Sequence, residues 1–157
     1  MRLPDLMGRS LLGVELRLPA DLPAERTLVL LAFRQRQQAQ VDRWIEKAVR
    51  ELGVPASPLA PGFDGSRAVV EVPCLGRRWR LARRAIDGGM ASSIAQPPIL
   101  ARTITVYDDV GRILRGVGAT SREAVQARVA LRTGAILAAA DGEPDGAGWA
   151  AIADAMR

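Results

Sequence analysis

The spacing of apolar positions changes period repeatedly along this chain, and each period predicts a different element. Val14-Glu15-Leu16-Arg17-Leu18 alternates with period two, which predicts an edge strand or hairpin over residues 11–18. Leu28-Val29-Leu30-Leu31-Ala32-Phe33 is continuously apolar between polar neighbours, with Arg26 and Arg34 close on either side. That suits a central strand buried on both faces, as a parallel sheet requires. Over residues 35–52, Val41, Trp44, Ile45, Ala48, Val49 and Leu52 fall at i, i+3, i+4, i+7, i+8 and i+11. They predict an amphipathic helix, ended by Gly53 and Pro55. A Pro- and Gly-containing loop follows over 55–65, then a second strand from Arg67 to Pro73. Strand, helix and strand make a βαβ unit with a right-handed crossover.

The second half continues the alternation. Residues 77–94 read as a helix with Trp79, Ala82, Ile86 and Met90 on its core side, weakened near its end by Gly88-Gly89. Gln96-Pro97-Pro98 reads as a turn, and Arg102 to Tyr107 as a β-branched strand. Asp108-Asp109 is placed to cap a short helix over 110–115, because Asp accepts from the unpaired N–H groups of a first turn. Residues 125–131 and 135–140 flank Thr133-Gly134 as an antiparallel hairpin, and 147–156 read as a last helix with Trp149, Ile152, Ala153 and Met156 on one face. No internal repeat or dividing linker is visible, so residues 1–157 read as one domain. The order predicts an α/β three-layer sandwich with a mixed central sheet and an N-terminal β-hairpin.

Composition narrows the chemistry. The chain of 157 residues is 48% hydrophobic and 25% charged, ordinary for a globular domain. It has one Cys and no His, which excludes His-based triads, His metal sites and internal Cys–Cys redox pairs. Of its 22 basic residues 21 are Arg, and the net charge is only +5. The opening Met1 to Gly8 has no apolar run of the secretory type, and no apolar stretch reaches membrane-spanning length. The expectation is a cytoplasmic protein without a cofactor or metal, and with a peripheral association to the inner membrane left open.

Several segments resemble a known fold family. Leu3-Pro4-Asp5-Leu6, Gly8, Leu11, Gly13 and Leu18-Pro19-Ala20-Asp21-Leu22, followed by Leu28 to Phe33, look like the entry to thioredoxin-like domains of the peroxiredoxin-type branch. Thr105 to Asp109 with Gly116-Val117 resembles the inserted strand and helix of that branch. Val129 to Ile136 resembles its closing hairpin. Phe33 with Gln37-Gln38 and Trp44 is similar to the mitochondrial ATP synthase assembly-factor family and its uncharacterised bacterial relatives. The resemblance implies a thioredoxin-like fold over nearly the whole chain. It also implies a nucleophilic Cys at the turn after the first core strand in redox-active members, and a Pro before the closing hairpin. Here that turn reads Arg34-Gln35-Arg36-Gln37-Gln38, and no Pro lies between Gly118 and Val125.

Three candidate sites remain. Cys74, after the second strand, has two readings: a one-Cys peroxidatic thiol activated by Arg77 and Arg78, or a small apolar residue at a strand end. The second is preferred, because this strand end is not where the resemblance places a nucleophile. Arg77, Arg80, Arg83 and Arg84 fall on one stripe of the second helix, about 120° wide. They suit an anion-binding face for acidic lipid or an acidic partner, or simply a solvated face. Nucleic acid fits poorly, since the few aromatic residues look like core rather than stacking platforms. Asp108-Asp109 is better explained as a cap than as a cation site. The leading expectation is a non-catalytic thioredoxin-like protein that binds a protein client, as a chaperone or assembly factor. Its degenerate redox loop spans Arg34, Gln35, Arg36 and Gln37. The alternatives are a thiol enzyme using Cys74 and a peripheral binder of anionic membranes.

Overall fold

The computed structural model describes residues 1–157, and its seven strands form one mixed sheet. They are β1 (Leu6–Ser10), β2 (Glu15–Leu18), β3 (Arg26–Ala32), β4 (Arg67–Leu75), β5 (Ile104–Tyr107), β6 (Gln126–Ala130) and β7 (Ile136–Asp141), in the spatial order β2-β1-β5-β4-β3-β6-β7. The continuous apolar run does lie in the middle of the sheet. β3 is parallel to β4, with Leu28 opposite Val69 and Leu31 opposite Val72, and antiparallel to β6.

Alternation along these strands divides the core in two. Val29 and Leu31 of β3 join Val70, Val72 and Cys74 of β4 under the helix α4 (Val110–Gly116). Leu28, Leu30 and Val69 point the other way, beneath α1 (Gln38–Leu52) and α5 (Gly146–Met156). α1 forms because its apolar positions recur at helical spacing, and it stops at Gly53, whose φ of 66° is costly for a residue with a Cβ. Trp44 is fully buried, and its indole N–H donates to the carbonyl of Gly142 at 2.8 Å. Asp109 caps α4 by accepting from the Arg112 backbone N–H, as its position predicts.

Four local expectations are corrected. Of the edge strand or hairpin expected over residues 11–18, the edge strand is present as β2, while the hairpin pairs it with Leu6–Ser10 rather than lying within 11–18. Its first strand is hard to see because the inward position Gly8 is not apolar. A Cβ there would stand 2.5 Å from the Ile104 side chain, so close strand packing excludes a larger residue. Pro97-Pro98 does not make a mere turn but opens α3 (Pro97–Arg102), since Pro is tolerated in a first helical turn. β4 runs on past Pro73 to Leu75, so Cys74 lies within the strand and pairs beside Val106 of β5.

The largest correction concerns residues 77–94. They form a 3₁₀ segment over Arg77–Ala82 and then α2 (Arg83–Ile94), and no residue in either is buried. Trp79 is 44% exposed and is not core. A 3₁₀ turn advances about 120° per residue rather than 100°, so the two pieces share no common apolar stripe.

Candidate functional site

The turn after β3 is held shut by one buried side chain. Gln37 Oε1 accepts from the backbone N–H groups of Phe33 at 2.8 Å and Arg34 at 3.3 Å, while its Nε2 donates to the carbonyl of Arg122 at 2.9 Å. Outside it, Arg34 and Arg36 both pair with Glu123, Arg34 at 2.9 Å. The Arg34 hydrogen bond holds the Glu123 carboxyl below its usual range. The sequence-predicted residues Arg34, Arg36 and Gln37 therefore act together as a clasp between this turn and the segment before β6. Gln35 instead borders the neighbouring clefts.

Cys74 is 4% exposed and faces the α4 side of the core, with its thiol 3.4 Å from the Val72 carbonyl. Burial pushes the thiol far above its ordinary range, which removes the thiolate that nucleophilic attack requires. Its strand borders a cleft of about 330 Å³ with Phe33, Arg34 and Met90. Arg77, the activating cation of the thiol alternative, pairs with Asp108 at 3.4 Å.

The four arginines of the expected stripe have different surroundings. Arg80 Nη2 donates to the Tyr107 carbonyl at 3.0 Å, whereas Arg83 and Arg84 form no ion pair. Arg80 and Arg83 border a cleft of about 390 Å³ against β1 and β5, together with Asp87 and Tyr107. There Asp87 receives the Tyr107 hydroxyl at 2.6 Å and the Thr105 hydroxyl at 3.0 Å. Burial, followed by the hydrogen bond to Asp87, pushes the Tyr107 phenol above its ordinary range. Asp87 thus anchors the otherwise unburied α2 to the sheet.

A larger groove of about 840 Å³ lies between α1 and the α2–α3 pair. Ile86, Met90, Ile94 and Ile99 supply its apolar wall, and Gln38 and Asp42 the opposite one. Its floor holds an ion pair, Arg102 Nε to Glu71 Oε2 at 3.0 Å, in which the Glu71 side chain is only 5% exposed. Gln38 donates to the other Glu71 oxygen at 3.1 Å, and Arg102 also reaches the Ala56 carbonyl. Sequence reading passed over Glu71 and Arg102. The available signal was the single charge that interrupts Ala68-Val69-Val70-Glu71-Val72, since a carboxylate in a two-sided buried strand must find a partner.

No protein-family model matches this chain, and no curated protein sequence does. Solved structures do match it. The exposed lipoprotein thioredoxin Etrx1 of Streptococcus pneumoniae strain TIGR4 is 13% identical, with a TM-score of 0.57 over 96% of this chain and 98% of that one. A candidate electron transfer protein of Aquifex aeolicus VF5 gives a TM-score of 0.64 at 12% identity, over 100% of this chain and 91% of its own. BsSco, a member of the Sco family of cytochrome c oxidase assembly proteins, gives 0.57 at 10% identity, over 98% of this chain and 91% of that one. Such identities bear on architecture alone. The chain has the thioredoxin-like fold.

Proposed function

We propose that this is a non-catalytic thioredoxin-like protein that works by binding a protein client. One observation carries the reading. The only thiol of the chain is packed in the α4-side core, and the turn after β3 holds a glutamine and an arginine–glutamate clasp where redox-active members place a nucleophile. The groove between α1 and α2 is the surface offered to a client. Its apolar wall suits an apolar segment, and its outer carboxylate, Asp42, suits a cationic residue beside it.

An assembly or chaperone role, with a subunit of the membrane ATP synthase as client, draws support only from the resemblance of the Phe33 to Trp44 segment. So does placement in the peroxiredoxin-type branch. The competing reading is a thiol enzyme using Cys74, favoured by the cleft beside its strand and opposed by burial of the sulfur.

Two measurements decide between these readings. The purified protein is expected to show no reductant-dependent peroxidase or disulfide-reductase turnover. Client capture from solubilised native membranes is expected to be lost in Met90→Glu but kept in Cys74→Ala. Turnover abolished by Cys74→Ala would overturn the binding-protein reading.

A further inference from the structure

The cleft between the β1–β2 hairpin and the start of α2 brings three arginines together. Arg9, Arg83 and Arg84 border it, and none of the three forms an ion pair. About 300 Å³ in volume, it is closed at one end by Leu12 and Gly13 of the hairpin tip. Asp87 is its single carboxylate, and both of its oxygens already accept hydroxyl hydrogen bonds.

Exposed apolar side chains occur on the same two segments of the chain. Leu81, two residues before Arg83, is completely exposed, at 101%. Leu12 and Val14 at the hairpin tip are 47% and 54% exposed, and Trp79 is 44% exposed beneath the Arg78 guanidinium.

We infer that the hairpin tip and the 3₁₀–α2 segment together dock this protein on an anionic phospholipid surface. Charge complementarity selects the occupant: three unpaired guanidinium groups match a layer of phosphodiesters, and each basic group near such a surface adds about 1 kcal/mol, or about five-fold in partitioning. Shape separates a bilayer from a folded partner. Leu81 stands fully exposed on the 3₁₀ segment, and Leu12 and Val14 are about half exposed at the hairpin tip; exposed apolar tips beside cations suit the soft headgroup boundary. Arg stems lie along apolar surface while their heads stay at the phosphates, and tryptophan favours the same depth. The neighbouring cleft carries Asp5, Glu15 and Asp108, and of these Asp108 is already paired by Arg77 and Arg112. This surface differs from the single helical stripe expected from sequence: Arg77 and Arg80 are engaged within the protein, and Arg9 takes their place. It shares no residue with the α1–α2 groove walls named above, so it stands or falls separately from client binding.

Vesicle sedimentation tests the inference. The full-length chain is expected to bind an equal mixture of phosphatidylcholine and phosphatidylglycerol at low salt, to bind phosphatidylcholine alone far less, and to lose binding as salt rises. The double variant Arg83→Gln, Arg84→Gln should lower partitioning roughly 25-fold. Leu81→Asp should lower it at least about ten-fold, with an unchanged melting temperature because Leu81 buries nothing. Absence of vesicle binding at low salt overturns the inference, as does binding that neither variant weakens. Retention by an immobilised acidic polypeptide without vesicle binding overturns it in favour of an acidic protein partner.

Discussion

Arg102 donates from Nε to the carboxylate of Glu71 at 3.0 Å on the floor of the α1–α2 groove, joining α3 to the central strand β4. Separating two buried charges leaves one of them desolvated and unpaired, which costs about 3–5 kcal/mol. Arg102→Ala is therefore expected to destabilise by that amount in denaturant unfolding. The double replacement Arg102→Leu, Glu71→Leu should recover most of the loss, because it leaves no orphan charge.

Gln37 makes a similar bet with neutral groups. Its three hydrogen bonds close the turn that follows β3, and Gln37→Ala should cost about 1–3 kcal/mol by leaving buried N–H groups without an acceptor. Hydrogen exchange should show faster opening at Phe33 and Arg34, with β4 unaffected.

Trp44 and Trp79 separate core from surface. Trp44→Ala is expected to cost about 3–5 kcal/mol, since the ring is fully enclosed and its N–H is satisfied by Gly142. Trp79→Ala should change unfolding by less than about 0.5 kcal/mol, as is usual for exposed positions.

Glu143 reports on acid stability. Its hydrogen bond to Arg43, helped by Gln40, lowers its pKa to about 2. A carboxyl depressed in the folded state stabilises fully above its ordinary value, and that contribution disappears as pH falls through the folded one. The loss should therefore occur between the ordinary carboxylate range and about pH 2. Solvent screening keeps it small, because both side chains are about half exposed. Carboxyl NMR titration should find the low midpoint, and Arg43→Gln should raise it toward the ordinary range.

Much of the framework was readable from local pattern. The run from Leu28 to Phe33 has no polar face, so it could only be covered on both sides, and the helical spacing from Val41 to Leu52 supplied one cover. The turn Arg34 to Gln37, which holds no Cys, Ser or Thr, and the capping role of Asp109 were equally legible, because each depends on residues adjacent in the chain. These features by themselves determined a three-layer α/β domain and the absence of a nucleophile after its first core strand. Only the tertiary structure decided what surrounds the charges. Glu123 lies far along the sequence from Arg34, Glu71 from Arg102, and Arg9 from Arg83, so no spacing rule brings them together. It also decided the exposure of residues 77–94: a helical pattern shows which side chains lie together, but burial requires a facing surface, and none covers Trp79 or Leu81.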